Sequence, residues 1–133
     1  MKKQIEQVKE FNKVFGITDI PPSLRYDMIR EELEEYFVAS HKVQVYKLED
    51  GGHKAERVIE PIEQADAIGD ILYLLVGAII ESGLEDKIES IFDEIHRSNM
   101  SKIEDGVVLR RDDGKVMKGK YYFKPNIKAI LNK

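Results

Sequence analysis

An apolar run, Ile71-Leu72-Tyr73-Leu74-Leu75-Val76-Gly77-Ala78-Ile79-Ile80, follows directly on an acidic segment, Glu63-Gln64-Ala65-Asp66-Ala67-Ile68-Gly69-Asp70. The run is apolar on every side, the pattern of a helix buried at the centre of a fold. It is about half the length needed to cross a bilayer. Pro61 suits the first turn of this helix and Gly83 its end, so the pattern predicts a helix from about Glu60 to Ser82. Such a helix must be packed by others. The chain is therefore expected to be an all-α helix bundle of four to five helices, and the apolar surplus predicts that a second copy packs against it.

The flanking sequence supplies the partners. Ile5, Val8, Phe11, Val14 and Phe15 recur at helical spacing, and Gly16 closes that segment. Ile20-Pro21-Pro22-Ser23 reads as a stop followed by an N-cap at Ser23, opening a helix from Leu24 to about His41. Its apolar stripe is Met28, Ile29, Leu33, Tyr36 and Phe37. Val43 to Val58 holds the turn Glu49-Asp50-Gly51-Gly52 and reads as a connection. A fourth helix, about Glu85 to Ile103, is expected to bury Ile88, Ile91, Phe92 and Ile95. Beyond it the tract is irregular, with turns at Asp105-Gly106 and Asp112-Asp113-Gly114 and a last helical turn after Pro125.

With 133 residues the expectation is a single domain, 1–133. A net charge of −4 and the lack of any Lys/Arg block argue against nucleic-acid binding. With no cysteine, disulfides, thiolate metal sites and cysteine nucleophiles are excluded. Met-Lys-Lys-Gln-Ile-Glu lacks the apolar stretch of a signal peptide, so no membrane association and a cytoplasmic location are expected.

The acids carry the chemistry. Glu63, Asp66 and Asp70 share one helix face, and Glu31, Glu32 and Glu35 share another on the preceding helix. Four acids within Glu31–Glu35 cover most of the helix circumference, and only Arg30 is near in sequence to neutralise them. Two carboxylates about 5 Å apart repel by about 3 kcal/mol at an effective dielectric near 20. A hard divalent cation with oxygen ligands offsets such repulsion, which points to Mg²⁺. Asp is a poor helix-interior residue, so Asp66 and Asp70 call for a partner. Gly69, in the same turn, suggests close approach of another group. Asp93 and His96 match half of a di-iron bundle motif, but its second half is missing, and His41 and His53 carry no pattern. At the fourth helix's end, Asn99 and Lys102 lie one turn apart and present an amide and a cation suited to a phosphate.

These segments together resemble the all-α nucleoside triphosphate pyrophosphohydrolase superfamily, in a MazG-like subgroup related to phosphoribosyl-ATP pyrophosphohydrolase. The resemblance rests on Glu31-Glu32-Leu33-Glu34-Glu35 and Ala65 to Tyr73, with His96 to Lys102 and Asp113 to Gly119, and covers roughly Leu24 to Leu131. One departure stands out: the usual second motif has Glu three residues before the final Asp, where this chain has Ala67. Asp66 or Glu63 is then the substitute.

The resemblance implies hydrolysis of the α–β phosphoanhydride of a nucleoside triphosphate to a monophosphate and pyrophosphate. It implies Mg²⁺, with Mn²⁺ as a substitute, held by Glu32, Glu35, Asp66 and Asp70, and Glu31 as a further ligand or the base that activates water. Asn99 and Lys102 would hold phosphate oxygens, with Lys115 and Lys118 as weaker candidates. A homodimer or higher homo-oligomer is expected. The competing reading is a non-catalytic helical interaction module with a structural cation site.

Overall fold

The computed structural model describes residues 1–133, which form two compact units, Met1–Gly83 and Leu84–Lys133. The first contains α1 (Lys2–Val14), α2 (Pro22–His41), β1 (Lys42–Lys47), β2 (His53–Val58) and α3 (Pro61–Glu81). The second contains α4 (Ile88–Met100), an irregular tract and α5 (Ile127–Leu131).

The helices of the first unit match the periodicity, with one change at the start of α2. Pro22 takes the first helical position, where a missing N–H is harmless, and Pro21 is the capping residue. Ser23, expected as the cap, lies inside the helix. α3 packs on α2 and α1. On the α1 side, Ile5, Val8 and Val76 are buried, and Phe11 meets Tyr73 edge-on at 5.7 Å. Ala39 on α2 and Ala67 on α3 are also buried.

The expected all-α class is wrong: five helices are joined by a two-stranded antiparallel sheet, so the fold is mixed. The connection expected over Val43–Val58 is a hairpin in the register Lys42↔Val58, Val45↔Ala55, Lys47↔His53. Both its faces are almost wholly exposed, so the alternation of Val43 and Val45 with polar residues in β1 marks no buried face. Its base is tied to α2 through Ser40, which also takes a bond from α3. Arg57 Nε donates to the Ser40 carbonyl (2.7 Å), and Gln64 Nε2 donates to Ser40 Oγ (2.8 Å).

Burial of α3 also differs from expectation. Ala67, Val76 and Gly77 are buried, whereas Ile68, Leu72, Tyr73 and Leu75 keep 40–51% of their surface. Gly69 meets no neighbouring atom. The close approach occurs instead at Gly77, against the Arg25 guanidinium.

In the second unit α4 is shorter than expected and buries only Ile91 and Ser98; Phe92 is 68% exposed. The serines of Ser98-Asn99-Met100-Ser101-Lys102 hold the C-terminal tract. Ser98 Oγ donates to the Phe123 carbonyl (2.8 Å), and Ser101 Oγ accepts from the Phe123 amide (3.1 Å). Arg97 lies over the Phe123 ring at 4.3 Å and binds Glu94 through Nε (2.8 Å) and Nη2 (2.9 Å). Asp112-Asp113-Gly114 is a turn as expected, with Gly114 at φ 87° and Asp113 Oδ1 accepting from the Lys115 amide (3.1 Å).

Candidate active site

The acidic face of α2 and the first half of α3 lie opposite each other in the first unit. Spacing by three and four residues on two packed helices aims both sets of carboxylates at one gap. A pocket of about 380 Å³ is bordered by Glu31, Glu32 and Asp70, with Met28, Tyr73 and Leu74 as its apolar side. A larger one, about 730 Å³, is bordered by Glu31, Glu34, Glu35, Glu60, Glu63 and Asp66. Val38 and Ala39 supply apolar wall there, and Lys42 its cation. Glu31 borders both pockets, so the acidic lining is continuous between them.

Glu32 is the most constrained of these acids. Its Oε2 is sealed from solvent without a hydrogen-bond partner. Its pKa is raised first by burial and then by the charges of Glu35, Asp70, Asp66 and Glu31. Desolvation and like charge both disfavour a carboxylate. Those four neighbours, with Glu32, are the five acids to which the resemblance gives a ligand or base role. Arg30 does not relieve them, because it binds Glu34 (3.0 Å) and Asp27 (3.8 Å).

The donor chemistry fits a hard cation, since every candidate ligand is a carboxylate oxygen and one of them is buried and unsatisfied. No three acid or imidazole groups converge tightly enough to hold a metal ion in this conformation. Glu31, Glu35, Asp66 and Asp70 are exposed.

Asn99 and Lys102 lie in the second unit. Asn99 is exposed in the last turn of α4, and its carbonyl accepts from the Lys102 amide (3.2 Å). His41 is occupied locally, stacked on Phe37 at 4.1 Å with Nδ1 at 2.8 Å from the Phe37 carbonyl.

Two charged pocket residues escaped the sequence reading. Lys42 and Glu60 flank the hairpin, and their side chains meet across its base. Their one sequence signal was position, just after one acidic helix and just before the other.

No helix is long and apolar enough to cross a membrane. A search of curated proteins finds no match to the chain. A family profile, phosphoribosyl-ATP pyrophosphohydrolase, matches residues 4–99 and so takes in both acidic helices and most of α4. That match covers well over half of the chain and carries the catalytic class with it: a pyrophosphohydrolase, a hydrolase acting on acid anhydrides. The chain belongs to the phosphoribosyl-ATP pyrophosphohydrolase family, within the MazG-like nucleoside triphosphate pyrophosphohydrolase superfamily.

Proposed function

We propose that this pyrophosphohydrolase cleaves the α–β phosphoanhydride of a nucleoside triphosphate in a Mg²⁺-dependent reaction, with Mn²⁺ as a substitute. The observation that carries this reading is the buried, unpartnered Oε2 of Glu32 among Glu31, Glu35, Asp66 and Asp70. A carboxylate so placed is stable only if protonated or paired with a cation. Glu32, Glu35, Asp70 and Asp66 are the proposed ligands. When bound, the cation supplies charge neutralisation of the phosphate chain and of the departing pyrophosphate.

The chain's own residues do the rest. Glu31, bordering both pockets, orients water and accepts its proton as the water oxygen bonds to phosphorus. The phosphoanhydride bond breaks, and its electron pair leaves with pyrophosphate. Val38 and Ala39 form an apolar wall beside the acids that suits the uncharged part of a nucleotide. Asn99 and Lys102 are proposed to bind phosphate oxygens on the strength of the resemblance alone.

A homo-oligomer in the cytoplasm completes the reading. Leu33 and Phe37 on α2 are 50% and 58% exposed, and Ile68 and Leu72 on α3 are 51% and 49% exposed. So many large apolar side chains on two adjacent helices favour cover by another copy. The test is release of pyrophosphate from a panel of ribo- and deoxyribonucleoside triphosphates and phosphoribosyl-ATP, with and without Mg²⁺ or Mn²⁺. Metal-independent turnover, or none on any of them, overturns the proposal.

A further inference from the structure

Lys42 is the one cation bordering the larger acidic pocket. It opens β1 where α2 ends, and the register Lys42↔Val58 brings the chain back beside it just before Glu60. There its ammonium binds the Glu60 carboxylate, while Glu60 is also the capping position of α3. The hydrogen bond to Glu60 and its charge raise the Lys42 pKa, so the side chain stays cationic. The lysine side chain is 58% exposed and that of Glu60 31%, which leaves the ammonium free to change partners.

A phosphate chain is a polyanion, and the pocket otherwise presents carboxylates to it. Metal bound among those carboxylates offsets part of the repulsion, but a nucleotide also needs a donor that is not tied to the acids. We propose that Lys42 is the pocket's phosphate-recognising residue, exchanging Glu60 for a non-bridging oxygen of the substrate's phosphate chain. Glu60 holds the ammonium at the rim until substrate displaces it. This rests on the reading above that the pocket takes a nucleoside triphosphate.

A purely structural pair, anchoring the hairpin base to α3, makes a different forecast from an exchanging one. In the exchanging case Lys42→Met raises KM about tenfold or more with kcat little changed, because a contact made equally in ground and transition states is lost. Glu60→Gln lowers KM, because the lysine is released. Affinity for Mg²⁺ alone, by titration calorimetry, holds or tightens in Lys42→Met, since a competing positive charge has gone. Lys42→Arg recovers part of the lost KM. An anchor instead predicts that Lys42→Met and Glu60→Gln lose melting temperature together and shift KM in the same direction. That result, or an unaltered KM in Lys42→Met, overturns the proposal while wild-type turnover keeps the wider reading alive. Absence of wild-type turnover on every nucleoside triphosphate sinks both.

Discussion

The guanidinium of Arg25 lies across Gly77, with both terminal nitrogens 2.7 Å from the point a β-carbon at position 77 would occupy. The same guanidinium binds Glu81 (2.5 and 3.1 Å) and the Leu74 carbonyl (3.4 Å), so α2 is fastened to α3 at a glycine. Gly77→Ala gains about 1 kcal/mol of helix propensity but must push the arginine off Glu81. The expected net change is a loss of about 1–2 kcal/mol in urea denaturation. In an Arg25→Met background the same substitution should be neutral or stabilising, and this reversal of sign in a double-mutant cycle is the check.

Glu32→Gln should remove turnover while the metal-free protein melts at the same or a higher temperature. Burial and four neighbouring acids raise the Glu32 pKa, so the folded state favours the neutral form and ionisation at neutral pH costs stability. A glutamine removes that cost. Melting curves at neutral pH without metal, together with a pyrophosphate-release assay, read both effects. A variant that stays active at saturating Mg²⁺ shows that Glu32 is not a ligand.

Metal should stabilise the wild type by mass action, by about 2.7 kcal/mol at a hundredfold excess over its dissociation constant. The upward melting shift with Mg²⁺ or Mn²⁺ should vanish in the Glu32→Ala/Asp70→Ala double variant. If the shift survives there, the cation is held elsewhere.

Position 67 separates the two candidates for the substituted ligand. Asp66 and Glu63 both border the larger pocket and are exposed, whereas Ala67 is 1% exposed. Asp66→Ala should therefore weaken metal binding about as much as Asp70→Ala if Asp66 is the ligand, and Glu63→Ala should do so if Glu63 is. Ala67→Glu puts a carboxylate into a tight helix contact and should cost about 3 kcal/mol or more in the metal-free protein. Calorimetric titration of the single variants decides the ligand, and denaturation decides the cost.

Acid stability of the second unit should depend on Glu94. Its carboxylate binds Arg97 through two bonds and accepts from the Asn126 amide (2.6 Å), holding its pKa down at about 2. A depressed carboxylate stabilises the fold above its ordinary value, and that contribution fades as pH falls through the folded pKa. Glu94→Gln should be less stable than wild type at about pH 6, with the difference shrinking between about pH 5 and about pH 2. A constant difference across that range would assign the effect to lost packing.

Helices and turns were legible because their signals are local. Pro61 and Gly83 mark the ends of α3 whatever it packs against, and Gly16, Gly51 and Gly114 sit at positive φ in the turns where they were expected. The hairpin was not legible as strands. Val43 and Val45 alternate with polar residues, but neither face of the sheet is buried, so nothing in the pattern fixes an inside. Gly69 and Gly77 look alike in sequence, and only the path of the Arg25 side chain distinguishes them.

The sequence by itself determined which acids share a face of each helix, because the helical period decides that within a single segment. It also determined the family resemblance, since the acidic motifs and their order are linear features. Only the tertiary structure decided that Glu32, rather than its neighbours, has the buried and unpartnered oxygen, because burial depends on how α2 and α3 pack together. It alone paired Lys42 with Glu60. Eighteen positions apart in the chain, they meet because an antiparallel hairpin returns the backbone to where it started, a long-range closure that no local pattern encodes.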